Sequence, residues 1–113
     1  MFAVVMGIGW YIFTAPKEGE RTESVFVYGT LQNPVFRAYA CYCYTEGEKV
    51  TLDEYEKVNL NILPNPDEQV SGKIIKVSKK ELERIDRYED VPSNYRREQI
   101  SIDDRIHWVY FKN

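Results

Sequence analysis

An almost continuous apolar run opens the chain, made by Phe2, Val4, Val5, Met6, Ile8, Trp10, Tyr11, Ile12 and Phe13, and no charged side chain occurs before Lys17. Beyond it the pattern changes. Residues 17–24 are rich in charge and contain Gly19, the composition of a linker. At Val25, Phe26, Val27 and Tyr28 a β-branched and aromatic run stopped by Gly29 predicts a buried strand ending in a tight turn. Asn33 before Pro34 has the form of a helix N-cap with proline at the first helical position, and predicts a short helical turn over 34–38. Residues 39–44 and 49–52 read as extended pieces joined through Gly47, whereas 60–66, broken by Pro64 and Pro66, read as an irregular crossing. A short strand over 73–77 follows.

Ser78, Lys79, Lys80 and Glu81 then make a capping box, in which the serine hydroxyl and the glutamate carboxylate each satisfy an orphan amide of a helix's first turn. Leu82, Ile85 and Glu89 recur at spacings of three and four and share one face, while Glu83, Arg84 and Arg87 are directed away and Pro92 ends the helix. Residues 96–102 and 106–111 alternate as the arms of a hairpin turning at Asp103 and Asp104. Together these elements predict an α+β fold, a small mixed sheet with one main helix.

Length and charge narrow the picture. A chain of 113 residues has room for one core, divided as an apolar segment 1–16, a charged linker 17–24 and a domain 25–113. The net charge of −3, with both signs interleaved, offers no basic face for phosphates and argues against a nucleic acid partner. The apolar run is short of the about 20 residues that a membrane-crossing helix needs. It also lacks the positive flank and cleavage site of a signal peptide. It remains readable as a marginal membrane anchor, the first choice, as an extra element packed on the domain, or as a mistaken upstream start. Residues before Thr22 are therefore expected to be dispensable for folding. Cys41 and Cys43, two apart in a stretch read as extended, would be strained by a bridge and are expected to be reduced thiols, which fits a cytoplasmic location, tethered if 1–16 is an anchor. With His107 they fall short of a structural zinc ligand set.

Two places could carry chemistry. Glu89 ends an apolar stripe, and a carboxyl facing a cleft there would be desolvated, raised above the ordinary glutamate range and able to exchange protons near neutral pH. Periodicity alone favours the plainer alternative, a frayed helix end with the carboxylate in water. The second is Tyr28, Gly29, Thr30 and Leu31, directly after the buried strand. Glycine there lets backbone approach a ligand, and successive amides can form a nest for a carboxylate or oxyanion, although most such turns are only turns.

The run Val25, Phe26, Val27, Tyr28, Gly29, Thr30, Leu31 resembles the opening signature of the gamma-glutamyl cyclotransferase-like superfamily, and Ile85, Asp86, Arg87, Tyr88, Glu89 followed by Tyr95, Arg96, Arg97 resembles its second hallmark. Val70, Ser71, Gly72, Lys73, Ile74, Ile75 and the closing Trp108, Val109, Tyr110 extend the likeness from about Val25 to Phe111. The resemblance implies a barrel-like sheet, a loop at Tyr28 to Leu31 that holds a gamma-glutamyl group, and Glu89 as the acid/base residue. Asp90 departs from the glycine that usually follows this glutamate.

The implied activity is a gamma-glutamyl or gamma-glutamylamine cyclotransferase, of the acyltransferase or lyase class, acting by intramolecular aminolysis. It would release 5-oxoproline and a free amine, with Tyr28 or Tyr95 orienting the substrate and no metal or organic cofactor. An amino acid, a glutathione-derived dipeptide, a lysine side chain and a polyamine are all compatible leaving groups. The rival, favoured by Asp90, is a non-catalytic module of the same fold that binds a small ligand, tethered to a membrane if 1–16 is an anchor.

Overall fold

The computed structural model describes residues 2–6, 9–13 and 18–113, the first two segments by their backbone alone. Strands β1 (Phe2–Met6) and β2 (Gly9–Phe13) pair antiparallel as a sheet of their own. Among the described residues no helix is long and apolar enough to cross a membrane. The remaining chain forms β3 (Glu23–Val27), a 3-10 turn (Thr30–Gln32), α1 (Pro34–Cys41), β4 (Gly47–Val58), β5 (Asn61–Val77), α2 (Lys79–Tyr88), β6 (Tyr95–Ile102) and β7 (Arg105–Lys112). The five-stranded sheet runs β4-β5-β3-β7-β6, with β3 and β7 parallel and the other neighbours antiparallel. It is an open mixed sheet, not a closed barrel. It nevertheless curls, because Tyr95 Oη donates to Leu60 O at 2.6 Å and Lys112 N to Asn61 Oδ1 at 2.9 Å, tying the β4–β5 tip to the opposite edge.

β3 explains how the core divides. Alternate side chains of a strand face opposite sides, so Val25 and Val27 pack toward the helices with Ile75, Val77, Leu82 and Ile85, while Phe26 and Tyr28 pack inside the curl with Leu52, Ile62, Ile74 and Val109. On α2 the capping box is complete: Glu81 N donates to Ser78 Oγ at 3.1 Å and Ser78 N to Glu81 Oε1 at 2.9 Å. The β6–β7 hairpin turns at Asp103 and Asp104, both at positive φ as a two-residue hairpin turn requires.

Several local expectations are corrected. α1 continues to Cys41, so residues 39–41 are helical and not extended. Tyr42 then takes a left-handed conformation, φ 56°, which turns the chain back, and Cys41 and Cys43 are joined in a disulfide instead of being free thiols. Residues 60–66 are not irregular throughout. Asn61 to Pro64 pair with Val58 to Tyr55, and pairing lapses only where the register jumps from Tyr55↔Pro64 to Asp53↔Gln69. The prolines are tolerated because β3 covers β5 only over 73–77, so this arm has no second neighbour needing their missing amides. α2 stops at Tyr88, before Pro92: Asp90 sits at φ 55°, Val91 N donates to Asp86 O at 3.0 Å and Asp90 N to Arg87 O at 3.2 Å, a Schellman ending. Arg84 is not directed away. Its Nε donates to Cys41 O at 2.8 Å and its guanidinium lies over the Tyr42 ring, so it joins the two helices.

Arg21 Nε lies 3.9 Å from Oε1 of the fully buried Glu81, so the folded unit draws on residues just before Thr22. A chain starting at Arg21 is expected to melt cooperatively and close to full length in a thermal scan. Aggregation or a broad transition would show that β1 and β2 belong to the core.

Candidate functional site

Where β3 ends, the chain must leave the sheet, and it does so through Gly29 into the 3-10 turn. Two groups pin this turn from below: the buried Arg37 donates from Nη1 to Leu31 O at 3.0 Å and to Gln32 O at 2.9 Å, and Lys73 Nζ donates to Gln32 O at 3.0 Å. Gly29 is exposed at φ −116°, and a Cβ built on it would meet nothing within 4 Å. Packing within the chain therefore does not demand glycine here, and the residue leaves open space. The amides that open a helical turn lack an intrahelical acceptor, and no side chain caps this one.

That space belongs to a cavity of about 580 Å³. Tyr28, Gly29, Thr30, Leu31, Tyr95 and Glu89, the residues singled out in the sequence, all line it. Glu89 is the C-cap of α2 and is half-buried. The two motifs are also tied directly, since Thr30 Oγ1 and Tyr88 Oη lie 2.9 Å apart in a hydrogen bond. Burial pushes the Glu89 carboxyl above its ordinary range. Asp90 does not line the cavity; it is exposed and accepts from Asn94 Nδ2 at 2.7 Å.

Tyr28 and Tyr95 are fixed by backbone carbonyls and Tyr110 by a carboxylate. Tyr28 Oη donates to Tyr110 O at 2.6 Å, and Tyr110 Oη donates to Asp86 Oδ1 at 2.6 Å, where Arg97 Nε also pairs at 3.1 Å. Burial first, and then the nearby Tyr95 and Glu89, hold the Tyr28 phenol protonated well above its usual range. Burial, followed by the hydrogen bond to Asp86, does the same for Tyr110, and burial then Glu89 raises Tyr95. At neutral pH these are neutral phenols with one donor already committed, so each can offer its oxygen only as an acceptor to whatever enters.

Lys57, Leu60, Tyr88 and Tyr110 also line the cavity. Sequence reasoning missed them as site residues. Tyr88 was adjacent to Glu89 and Tyr110 lay in the closing motif, but Lys57 and Leu60 carried no local signal, because their place depends on how the β4–β5 arm curls back. Among the described residues no group of three or more histidines, cysteines or acids could hold a metal ion.

A profile of the family described as "Gamma-glutamyl cyclotransferase, AIG2-like" matches residues 25–113. The chain belongs to this family. A Vibrio cholerae serotype O1 protein named "Putative gamma-glutamylcyclotransferase" is 33% identical over 90 residues, covering 76% of this chain and 78% of that protein. The solution structure of an Arabidopsis thaliana protein superposes with a TM-score of 0.60 at 28% identity, over 80% of this chain and 68% of that one. A structure named "Gamma-glutamyl cyclotransferase" superposes with a TM-score of 0.64 over 80% of this chain and 66% of its own, at 14% identity, a likeness of fold. The family match begins at Val25, so β1 and β2 lie outside it.

Proposed function

We propose that this chain is a cyclotransferase that catalyses intramolecular aminolysis of a gamma-glutamyl amide, releasing 5-oxoproline and a free amine. The observation that carries this reading is the half-buried Glu89, its carboxyl raised by desolvation, on the wall of the same cavity as the loop of Tyr28, Gly29, Thr30 and Leu31. A gamma-glutamyl compound brings its own nucleophile, the α-amine, so the protein need only fold the ligand and move protons. Glu89 takes one proton from the α-ammonium, and the amine attacks the side-chain carbonyl carbon. The protonated carboxyl gives a proton to the departing nitrogen as the old C–N bond breaks. Of the two protons left on the attacking nitrogen, one stays as the lactam N–H and the other leaves with the released amine, so the products are the lactam and an ammonium ion. Backbone amides near Gly29 and Thr30 would stabilise the oxyanion, and the phenol oxygens of Tyr28 and Tyr95 would accept from the substrate. No step calls on a metal or organic cofactor.

The experiment is incubation with a panel of gamma-glutamyl amides, of amino acids, a dipeptide, the lysine side chain and polyamines, with chromatographic assay of 5-oxoproline. Release from at least one amide is expected. Binding without release would replace the enzyme by a ligand-binding module of the same fold.

The raised carboxyl also sets a pH dependence. Activity needs ionised Glu89, so kcat/KM should rise with pH through a value above the ordinary glutamate range. Stability should move the other way. The folded chain holds this proton more tightly than the unfolded chain, so Glu89 costs nothing below the unfolded value and progressively more as pH rises through the folded one. Glu89→Gln removes that cost, and the variant should melt at or above wild type at neutral pH, the gap closing in acid. A variant melting well below wild type at neutral pH would contradict this.

A further inference from the structure

Among the described residues lining the cavity, Lys57 is the one cation and Glu89 the one acid. No carboxylate stands within ion-pair distance of Lys57 among the described residues, and Glu89 is likewise unpaired. The ammonium is nevertheless not left to wander: Nζ donates to Tyr28 O at 3.0 Å, which leaves donors of a three-donor group uncommitted at the head of the loop. A cavity whose other lining residues carry no charge thus presents a cation and an anion that are not paired with each other or with any other charge among the described residues. That is the complement of a zwitterion.

Resting on the cyclotransferase reading, we propose that Lys57 is a specificity-determining residue that receives the α-carboxylate of the ligand, so that the site requires an α-amino acid and not merely a γ-amino amide. The α-ammonium goes to Glu89, and the carboxylate on the same carbon goes to Lys57. The position of Nζ at Tyr28 O places this charge at the loop end of the cavity, the end that the reading assigns to the gamma-glutamyl group, and not to the departing amine. Specificity follows from the alternative: a ligand without the carboxylate leaves the ammonium's free donors unused and gains no charge-assisted hydrogen bond. The amine, by contrast, can vary widely without touching Lys57.

The test compares gamma-glutamyl methylamide with γ-aminobutyryl methylamide, which keeps the attacking amine and the scissile amide but lacks the carboxylate, in wild type, Lys57→Met and Lys57→Arg. Turnover is followed by lactam release, and binding by calorimetry. Lys57 is exposed on β4, so folding of each variant is checked by melting. Lys57→Met is expected to lower kcat/KM for the gamma-glutamyl compound by roughly 10- to 100-fold, as loss of a hydrogen bond to a charged group does. It should lower that for the carboxylate-free compound far less, and Lys57→Arg should retain most of the discrimination. Equal losses for both compounds would mean that Lys57 acts only by holding Tyr28 O, and would overturn the proposal. Binding without turnover in wild type would remove the cyclotransferase reading alone, and the ratio of the two affinities across the variants would still decide Lys57. Failure of wild type to bind either compound would overturn both.

Discussion

Replacing Glu89 with glutamine should lower 5-oxoproline release by about 10²- to 10⁴-fold, the range of a general acid/base group. The loss should fall toward the upper part of it, because one carboxyl serves as base and then as acid. The substitution keeps size and most hydrogen-bonding geometry while removing the titratable proton, and Glu89 holds the end of α2 through its backbone N–H to Ile85 O at 2.9 Å, which glutamine preserves. Folding should therefore survive, and the loss should appear mainly in kcat, with KM rising far less as the α-ammonium loses its charged partner. Steady-state kinetics on the purified variant checks this. A rate similar to wild type would place the proton transfer elsewhere, even with the fold intact.

Gly72→Ala should be among the most damaging substitutions to stability. Gly72 is buried in β5, and a Cβ there would stand 2.5 Å from Val27 O and 2.6 Å from the Phe26 ring. The nearer atom is backbone of the central strand, which cannot turn aside as a side-chain end could. Overpacking of this kind costs about 3 kcal/mol, which in a domain of this size lowers the melting temperature by roughly 10–20 °C. The displaced strand is the one that feeds Tyr28 into the loop, so activity should fall even below the melting transition. An alanine variant with an unchanged melt would show that β3 and β5 are less closely apposed than the structure has them.

What could be read in advance was local. The capping box at Ser78, the turn at Asp103 and Asp104, and the buried run into Gly29 are each decided by neighbours in sequence, and each is found where its residues predict it. Glu89 was open on periodicity alone, because the spacing that puts it beside Leu82 and Ile85 also fits a frayed end. What decides its surroundings is the Schellman turn at Asp90 and the hydrogen bond between Tyr88 and Thr30, a contact 58 positions apart. Pro64 and Pro66 misled because proline was weighed without knowing that this arm of β5 has one neighbour only. The extended reading around Cys41 failed for a related reason: alternating tyrosines and small residues from 39 to 44 look like a strand, but α1 is held to α2 by Arg84 and ends only at Tyr42. Lys57 and Arg37 were invisible, since a lysine in a charged strand and an arginine in a short helix acquire meaning only from the carbonyls they reach.

The claim most worth testing is that the attacking nucleophile belongs to the substrate and is not water. Turnover of a gamma-glutamyl amide in water labelled with heavy oxygen separates the two directly, by mass spectrometry of the products. Ring closure predicts unlabelled 5-oxoproline and the free amine in equal amounts, with no glutamate formed. Labelled glutamate as the first product would show hydrolysis and contradict the mechanism.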